Sequence, residues 1–258
     1  MNEYPASFLD REPAPPPQPV RVSLPDSVPY VTYTIVGITV IFYLLQLASV
    51  YFYGYANALS QMDWLEYFGA QISAAIRAGQ IWRLITPVLL HGSILHIGFN
   101  MYALAVFGTG LERHFGKLRF LILYLLSGFS GNVFSFLFTK GYSIGASTAI
   151  FGLLAAEGMF LYQNRKLFGN QARSAIGNII FVAAINLFIG LAPGIDNWGH
   201  IGGLLGGLIF TWFAGPLWGL TGTYPELQLA DQREPRQVLT GAAAVILIFG
   251  ALTLVGMR

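Results

Sequence analysis

Seven long apolar runs, separated by short polar breaks, dominate the chain. The first spans about Pro29–Tyr53, within a stretch from Asp26 to Asp63 that contains no other Asp, Glu, Lys or Arg. It is long enough for a bilayer-crossing helix, which needs ~20 residues. Further runs follow at about Leu95–Leu111, Phe120–Phe138, Ser147–Tyr162, Ile176–Leu191, Gly199–Trp218 and Val238–Val255. None shows the ~10-residue alternating segments of a membrane barrel. The pattern therefore predicts an all-α polytopic membrane protein. The stretch from Gly54 to about Ser93 is only partly apolar and carries Asp63, Glu66, Arg77 and Arg83 together with Trp64 and Trp82. Too polar to cross and too apolar for disorder, it predicts short helices lying in the interface, with the tryptophans as belt residues.

The polar breaks divide the chain. Residues 1–27 hold Pro13, Pro15, Pro16, Pro17 and Pro19 and read as a disordered or polyproline tail. Being polar, this leader does not make the first span look like a cleaved signal peptide. Residues 28–218 form the six-span core, 219–237 a polar linker, and 238–258 a seventh span. Composition agrees: 55% of residues are hydrophobic and 10% charged, against roughly 25% charged in soluble domains. The net charge of +2 gives no case for a nucleic-acid partner, and the absence of cysteine excludes thiol catalysis, disulfides and Cys-ligated metals. With a cytoplasmic N-terminus, Arg113, Lys117, Arg119, Arg165, Lys166, Arg173, Arg233 and Arg236 fall inside. Only Arg77, Arg83, Lys140 and Arg258 then fall outside. That orientation places Ser147 and His200 near the outer ends of the fourth and sixth spans, at one depth.

Those two residues carry the candidate chemistry. A serine in a membrane helix is commonly a packing residue, whereas a buried ionisable side chain is costly and tends to be functional. His200 lies in a run where glycines 199, 203 and 207, and also 202 and 206, recur every four residues. Such a face admits a close neighbouring helix. It is either a packing zipper with an incidental histidine or the device that lets Ser147 reach His200 as nucleophile and base. Gly145 and Gly152 permit close backbone approach around the serine. The motif Gly-x-Ser-x-Ala lacks the last glycine of a hydrolase elbow and has no strand-turn-helix context, so the soluble α/β-hydrolase reading fails.

His91, His96 and Asn100 form a second cluster. His96 and Asn100 lie one turn apart, about 6 Å along one helix face. They suit either a structural hydrogen bond between helices or donors for a developing oxyanion. Metal is disfavoured, because no carboxylate stands at ligand spacing and the His-Glu-x-x-His pattern is absent; no cofactor is indicated. Glu112-Arg113 reads as interfacial anchoring. Glu157, roughly 15 Å below Ser147 along the helix, reads as bonding a neighbouring helix through Asn186 or snorkelling. Asp196 reads as a solvated turn carboxylate, leaving a dyad and not a triad.

Taken together, five motifs resemble the rhomboid family of intramembrane serine proteases: Trp82-Arg83, His91 through His96 to Asn100, Glu112-Arg113 with Gly116, Gly145 through Ser147 and Phe151 to Gly152, and Gly199-His200 with Gly203. The match runs from about Trp82 to Gly207. The resemblance implies a six-helix core plus a C-terminal seventh helix. It implies Ser147 as nucleophile, His200 as general base, and an oxyanion hole of His96, Asn100 and the Ser147 amide. It further implies that His91 and Gly145 belong to the active-site cavity, that Phe151 packs on the catalytic histidine, and that Arg83 belongs to the interfacial loop that shapes the fold. The second and fifth spans would flank lateral access for substrates, which would be single-span or multi-span membrane proteins in the lipid bilayer, with the cell membrane as the location. Asn132 receives no role. Two rivals remain: a catalytically inactive rhomboid-like protein that binds membrane clients, and a transporter. The transporter would show interrupted helices at midplane, whereas here the polar groups gather toward one side.

Overall fold

The computed structural model describes residues 28–223 and 227–258. The proline-rich tail expected at 1–27 lies outside them. The seven expected spans correspond to α1 (Tyr30–Tyr53), α4 (Ile94–Phe115), α5 (Lys117–Phe138), α6 (Ser147–Gln163), α8 (Asn170–Ile189), α9 (Asn197–Ala214) and α10 (Pro235–Gly256). Five of these are long and apolar enough to cross a membrane by length and composition. The other two, α6 with 17 residues and α9 with 18, carry Ser147 and His200. They are short and rich in small residues, and helices pack around them. The molecule is a multi-pass integral membrane protein.

Local chemistry sets the helix ends. Ser93 accepts the His96 amide at 3.1 Å and starts α4. Asp196 starts α9 by accepting the Gly199 amide at 2.9 Å. Glu234 and Gln237 close a reciprocal capping box on α10, with Pro235 in its first turn. One residue, Gly116 at φ +75°, separates α4 from α5. The interfacial stretch contains α2 (Trp64–Gly69), α3 (Ser73–Arg77) and two 3₁₀ turns, Ile81–Leu84 and Thr86–Leu89. A short α7 (Arg165–Phe168) precedes α8. The short-helix expectation holds for the interfacial stretch. It also carries a strand not foreseen: β1 (Gln71–Ile72) pairs antiparallel with β2 (Tyr142–Ser143), just ahead of Ser147.

Helices α5, α6 and α9 form the centre; α10 packs on α9 and α5, α8 on α6, and α1 on α4. The glycine rows of α9 do what their spacing suggests. A methyl on Gly203 would collide with the Thr148 carbonyl, and one on Gly207 with that of Gly152, so α6 and α9 touch backbone to backbone. The sixth helix ends at Ala214 rather than Trp218. Trp218 instead opens β3 (Trp218–Thr221), which pairs antiparallel with β4 (Gln228–Asp231) within the stretch expected to be a polar linker. Asn164 holds this hairpin to α6, accepting the Trp218 amide at 2.8 Å and donating to the Pro216 carbonyl at 2.9 Å. Asp231 pairs with Arg119 at 2.8 Å. At the other end of α10, Arg77 donates to the Gly256 carbonyl at 3.1 Å.

Glu112 corrects the anchoring expectation. It is fully buried and accepts from the Val31 amide at 2.9 Å and from the Thr32 amide and hydroxyl at 2.7 Å. The first N–H groups of α1 have no intrahelical acceptors, and this carboxylate supplies them.

Candidate active site

Ser147 is the first residue of α6, and His200 sits in the first turn of α9. With both helices starting from the same side and packed this closely, Ser147 Oγ lies 3.0 Å from His200 Nε2. The hydroxyl can donate only if Nε2 is unprotonated, which puts the imidazole proton on Nδ1. His200 Nδ1 is buried without a hydrogen-bond partner among the described residues. Packing fixes the ring instead: Phe151, one turn after Ser147, stacks on it with centroids 4.1 Å apart and planes 8° from parallel.

Asp196 does not complete a triad. One of its oxygens accepts from the Gly199 amide and from the Thr139 hydroxyl at 2.5 Å. It is a half-buried helix cap rather than the solvated turn carboxylate expected. Glu157 and Asn186 do not pair, since the Asn186 amide donates to the Val182 carbonyl of its own helix at 2.8 Å.

Gly145 is required twice. Its φ of +122° lies in the region open to glycine, and a methyl there would meet His96 Nε2 at 2.7 Å and Ser147 Oγ at 3.7 Å. The His96 ring and the serine hydroxyl thus face one spot. Ala146, at the N-cap of α6, has no side-chain oxygen, so no cap occupies the helix's opening N–H groups. Buried Asn100 donates to the His96 carbonyl at 2.9 Å and keeps its second amide hydrogen. His91 is buried beneath, its ring 4.9 Å from that of His96. Its Nε2 accepts from the Ala146 amide at 3.4 Å. Burial, then the neighbouring His96, pushes the His91 imidazole down to about 3, so this loop histidine is neutral at ordinary pH. All seven site residues foreseen from the sequence gather in this region.

Three buried polar groups tie the interfacial stretch: one left without a role by the sequence, one placed only within the loop, and one missed. Asn132 donates to the Leu84 carbonyl at 3.1 Å and ties α5 to the interfacial loop. Arg83 donates to the carbonyls of Ala70 at 2.6 Å and Tyr67 at 2.7 Å and to Gln80 Oε1 at 2.7 Å, so it ties the turns of the interfacial loop to one another. Gln46, on α1, bonds Asp63 and the backbone of His91. The only signal for it was an amide inside an otherwise apolar span. Beside it, burial and the adjacent Asp63 charge push the Glu66 carboxyl up to about 7.

Comparison with known proteins places these features in a wider setting. The family model described as "Rhomboid domain" matches residues 78–217. "Rhomboid protease GluP" of Bacillus subtilis (strain 168) is 42% identical over 170 residues, covering 66% of this chain and 33% of that protein. "RHOMBOID-like protein 1" of Arabidopsis thaliana is 34% identical over 199 residues, 73% of this chain and 51% of that protein. "RHOMBOID-like protein 6, mitochondrial" of the same plant is 40% identical over 150 residues, 58% of this chain and 46% of that protein. The matched parts thus cover between a third and about half of these relatives.

Proposed function

The chain belongs to the rhomboid family, and from that premise we propose that it is an intramembrane serine endopeptidase. It hydrolyses peptide bonds in or near transmembrane segments of other membrane proteins, with Ser147 as nucleophile and His200 as general base. The observation that carries this reading is the 3.0 Å contact between a hydroxyl and an imidazole contributed by separate helices. The Ser147 proton passes to His200 Nε2 as the oxygen attacks the scissile carbonyl carbon. The resulting oxyanion meets the Ser147 amide and the His96 and Asn100 side chains, the donors that line this end of α6 and α4. His200 then returns the proton to the leaving amine, and water, activated the same way, hydrolyses the acyl-enzyme. His91, Gly145 and Phe151 complete the cavity: a neutral brace, the turn that admits His96, and the ring that holds His200.

Residues 28–218 form the protease core in this reading, residues 219–237 its inner connection and 238–258 a buttress on the α9 face. The basic residues support a cytoplasmic N-terminus and an active site facing the outer side of the cell membrane. A substrate helix hides its amides in hydrogen bonds, so it must unwind before attack. Cleavage near helix-breaking residues follows from that requirement, and the resemblance to the family puts lateral access between α4 and α8.

The test is a fluorophosphonate probe in detergent, together with cleavage of a single-span substrate. Labelling and cleavage by the parent, both lost in Ser147→Ala and His200→Ala, are the expected result. A folded parent that neither labels nor cleaves overturns the reading and favours a client-binding role.

A further inference from the structure

Gln46 is out of place on composition. It sits in an apolar span and is 2% exposed, and a buried carboxamide is costly unless its bonds are satisfied. Here they are. Oε1 accepts the His91 amide at 3.0 Å, and Nε2 donates to Asp63 Oδ2 at 2.7 Å. The same nitrogen lies 3.3 Å from the His91 carbonyl and 3.4 Å from Glu66 Oε1. The amide orientation is fixed by its neighbours, because its oxygen faces a donor and its nitrogen faces three acceptors. The exchange with both backbone groups of His91 is that of a hydrogen-bonded pair in an antiparallel ladder. The side chain of α1 thus serves as the strand partner of the His91 loop. Asp63 is held in turn, because its other oxygen caps α2 through the amides of Leu65 at 2.7 Å and Glu66 at 2.9 Å.

From His91 the connection continues to the nucleophile. The ring accepts from the amide of Ala146, the residue before Ser147, at 3.4 Å. The 3₁₀ turn just ahead of His91 holds Gly145, whose amide donates to the Pro87 carbonyl at 2.9 Å. Gln46 meets His91 through its backbone, and among the described residues no hydrogen bond joins it to Ser147 or His200.

We propose that Gln46 is a positioning residue: its two-way clamp on the His91 backbone sets the loop that braces the Ser147 turn. The inference rests on the reading of Ser147 and His200 as the catalytic pair. It deepens that reading by adding α1, which contributes no side chain to the reaction. A misplacement of about 1 Å from a distant change can cost 10²-fold in rate.

The experiment measures kcat and KM for a single-span substrate in detergent, per folded molecule by size exclusion, for the parent, Gln46→Leu, Gln46→Glu and Gln46→Glu with Asp63→Asn. Gln46→Leu removes every bond of the clamp and lowers kcat roughly tenfold to a hundredfold, with KM within about twofold of the parent. Gln46→Glu sets a carboxylate against Asp63 and Glu66 and lowers kcat at least as far. Asp63→Asn returns a donor to that carboxylate and recovers part of the loss. A Gln46→Leu protein that melts earlier yet keeps the parental kcat reduces Gln46 to a stability residue and overturns the proposal. If Gln46→Leu does not fold, the double variant decides, and a folded double variant no faster than Gln46→Glu overturns it. An inactive parent is a different result, which removes the catalytic reading itself.

Discussion

Helices α8 and α9 both lie against α6, and they are held in opposite ways. On α9, glycines press onto the α6 backbone at two levels, and Phe210 is fully buried. On α8, only 6% of the most apolar stretch is covered, and Ile180, Phe181 and Phe188 are all more than 60% exposed. Among the described residues one polar tie holds its C-terminal end to α9, the Asn197 amide donating to the Leu187 carbonyl at 2.9 Å. In lipid no hydrophobic force drives helices together, so close van der Waals packing decides which pairs are rigid. The helix that carries His200 is built into the molecule; the helix next to it borders lipid. A fixed Ser147–His200 contact beside a loosely held helix suits the proposed protease, which would keep a 3.0 Å contact while admitting a bulky substrate.

The sharpest way to break the contrast is to overfill the α6–α9 contact. In Gly203→Ala the new methyl meets the Thr148 backbone carbonyl, which cannot swing aside as a side chain would. A cost of about 3 kcal/mol, at the upper end for overpacking, is expected. It would be read as a large fall in melting temperature with loss of serine labelling. A Gly203→Ala protein with parental stability and activity would mean that α9 is no more fixed than α8.

Next comes the turn where rigidity becomes chemistry. Gly145→Ala places a methyl against His96 in a sparsely populated backbone conformation that costs a non-glycine residue about 1–3 kcal/mol. The loss should fall on activity more than on stability. Labelling of Ser147 by the probe should slow at least tenfold, since a misplacement near the reacting groups is costly in rate, while the folded fraction at 25 °C stays near the parent's.

How much of this could be read from the sequence follows from the range over which each interaction acts. The spans were legible because lipid demands long apolar runs. The meeting of Ser147 and His200 was legible because their helices share an orientation and glycines 203 and 207 recur every four residues. Gln46 and Glu112 were not understood, because their partners lie 45 and 80 residues away. A lone amide or carboxylate in a sequence does not disclose the backbone it will satisfy. The β3–β4 hairpin escaped for a related reason. Its four-residue strands sit within a polar stretch and are held by side chains from other elements, such as Asn164 and Arg119. The sixth helix was drawn too long because Trp218 continues the apolar run, although Gly215 and Pro216 already end the helix.

A smaller effect separates the interfacial loop from both helices. Burial raises the Glu66 carboxyl from 4.5 to about 7 in the fold. Between those pH values the folded chain holds a proton that the unfolded chain has released, so this group's contribution to stability falls as pH rises from about 4.5 to about 7. Glu66→Gln removes the slope. The variant should match the parent near pH 4.5 and melt higher at pH 7.5, whereas parallel curves across that range would show that Glu66 does not titrate there. Neither α8 nor α9 takes part, so their contrast should persist at every pH.

The smallest effect belongs to α8, and it sharpens the comparison most directly when the same truncation is made on both helices. Phe181 is 62% exposed and Phe210 is fully buried. Phe210→Ala opens a void in the hydrophobic core and should cost about 3–5 kcal/mol. Phe181→Ala removes a ring that faces lipid or detergent in either case, so no protein contact of consequence is lost and the change should stay within about 0.5 kcal/mol. Thermal unfolding in one detergent, with both variants side by side, checks the pair. If Phe181→Ala proved as damaging as Phe210→Ala, α8 would be packed in solution against something that holds it, and the picture of a loosely seated helix beside a fixed dyad would have to be given up.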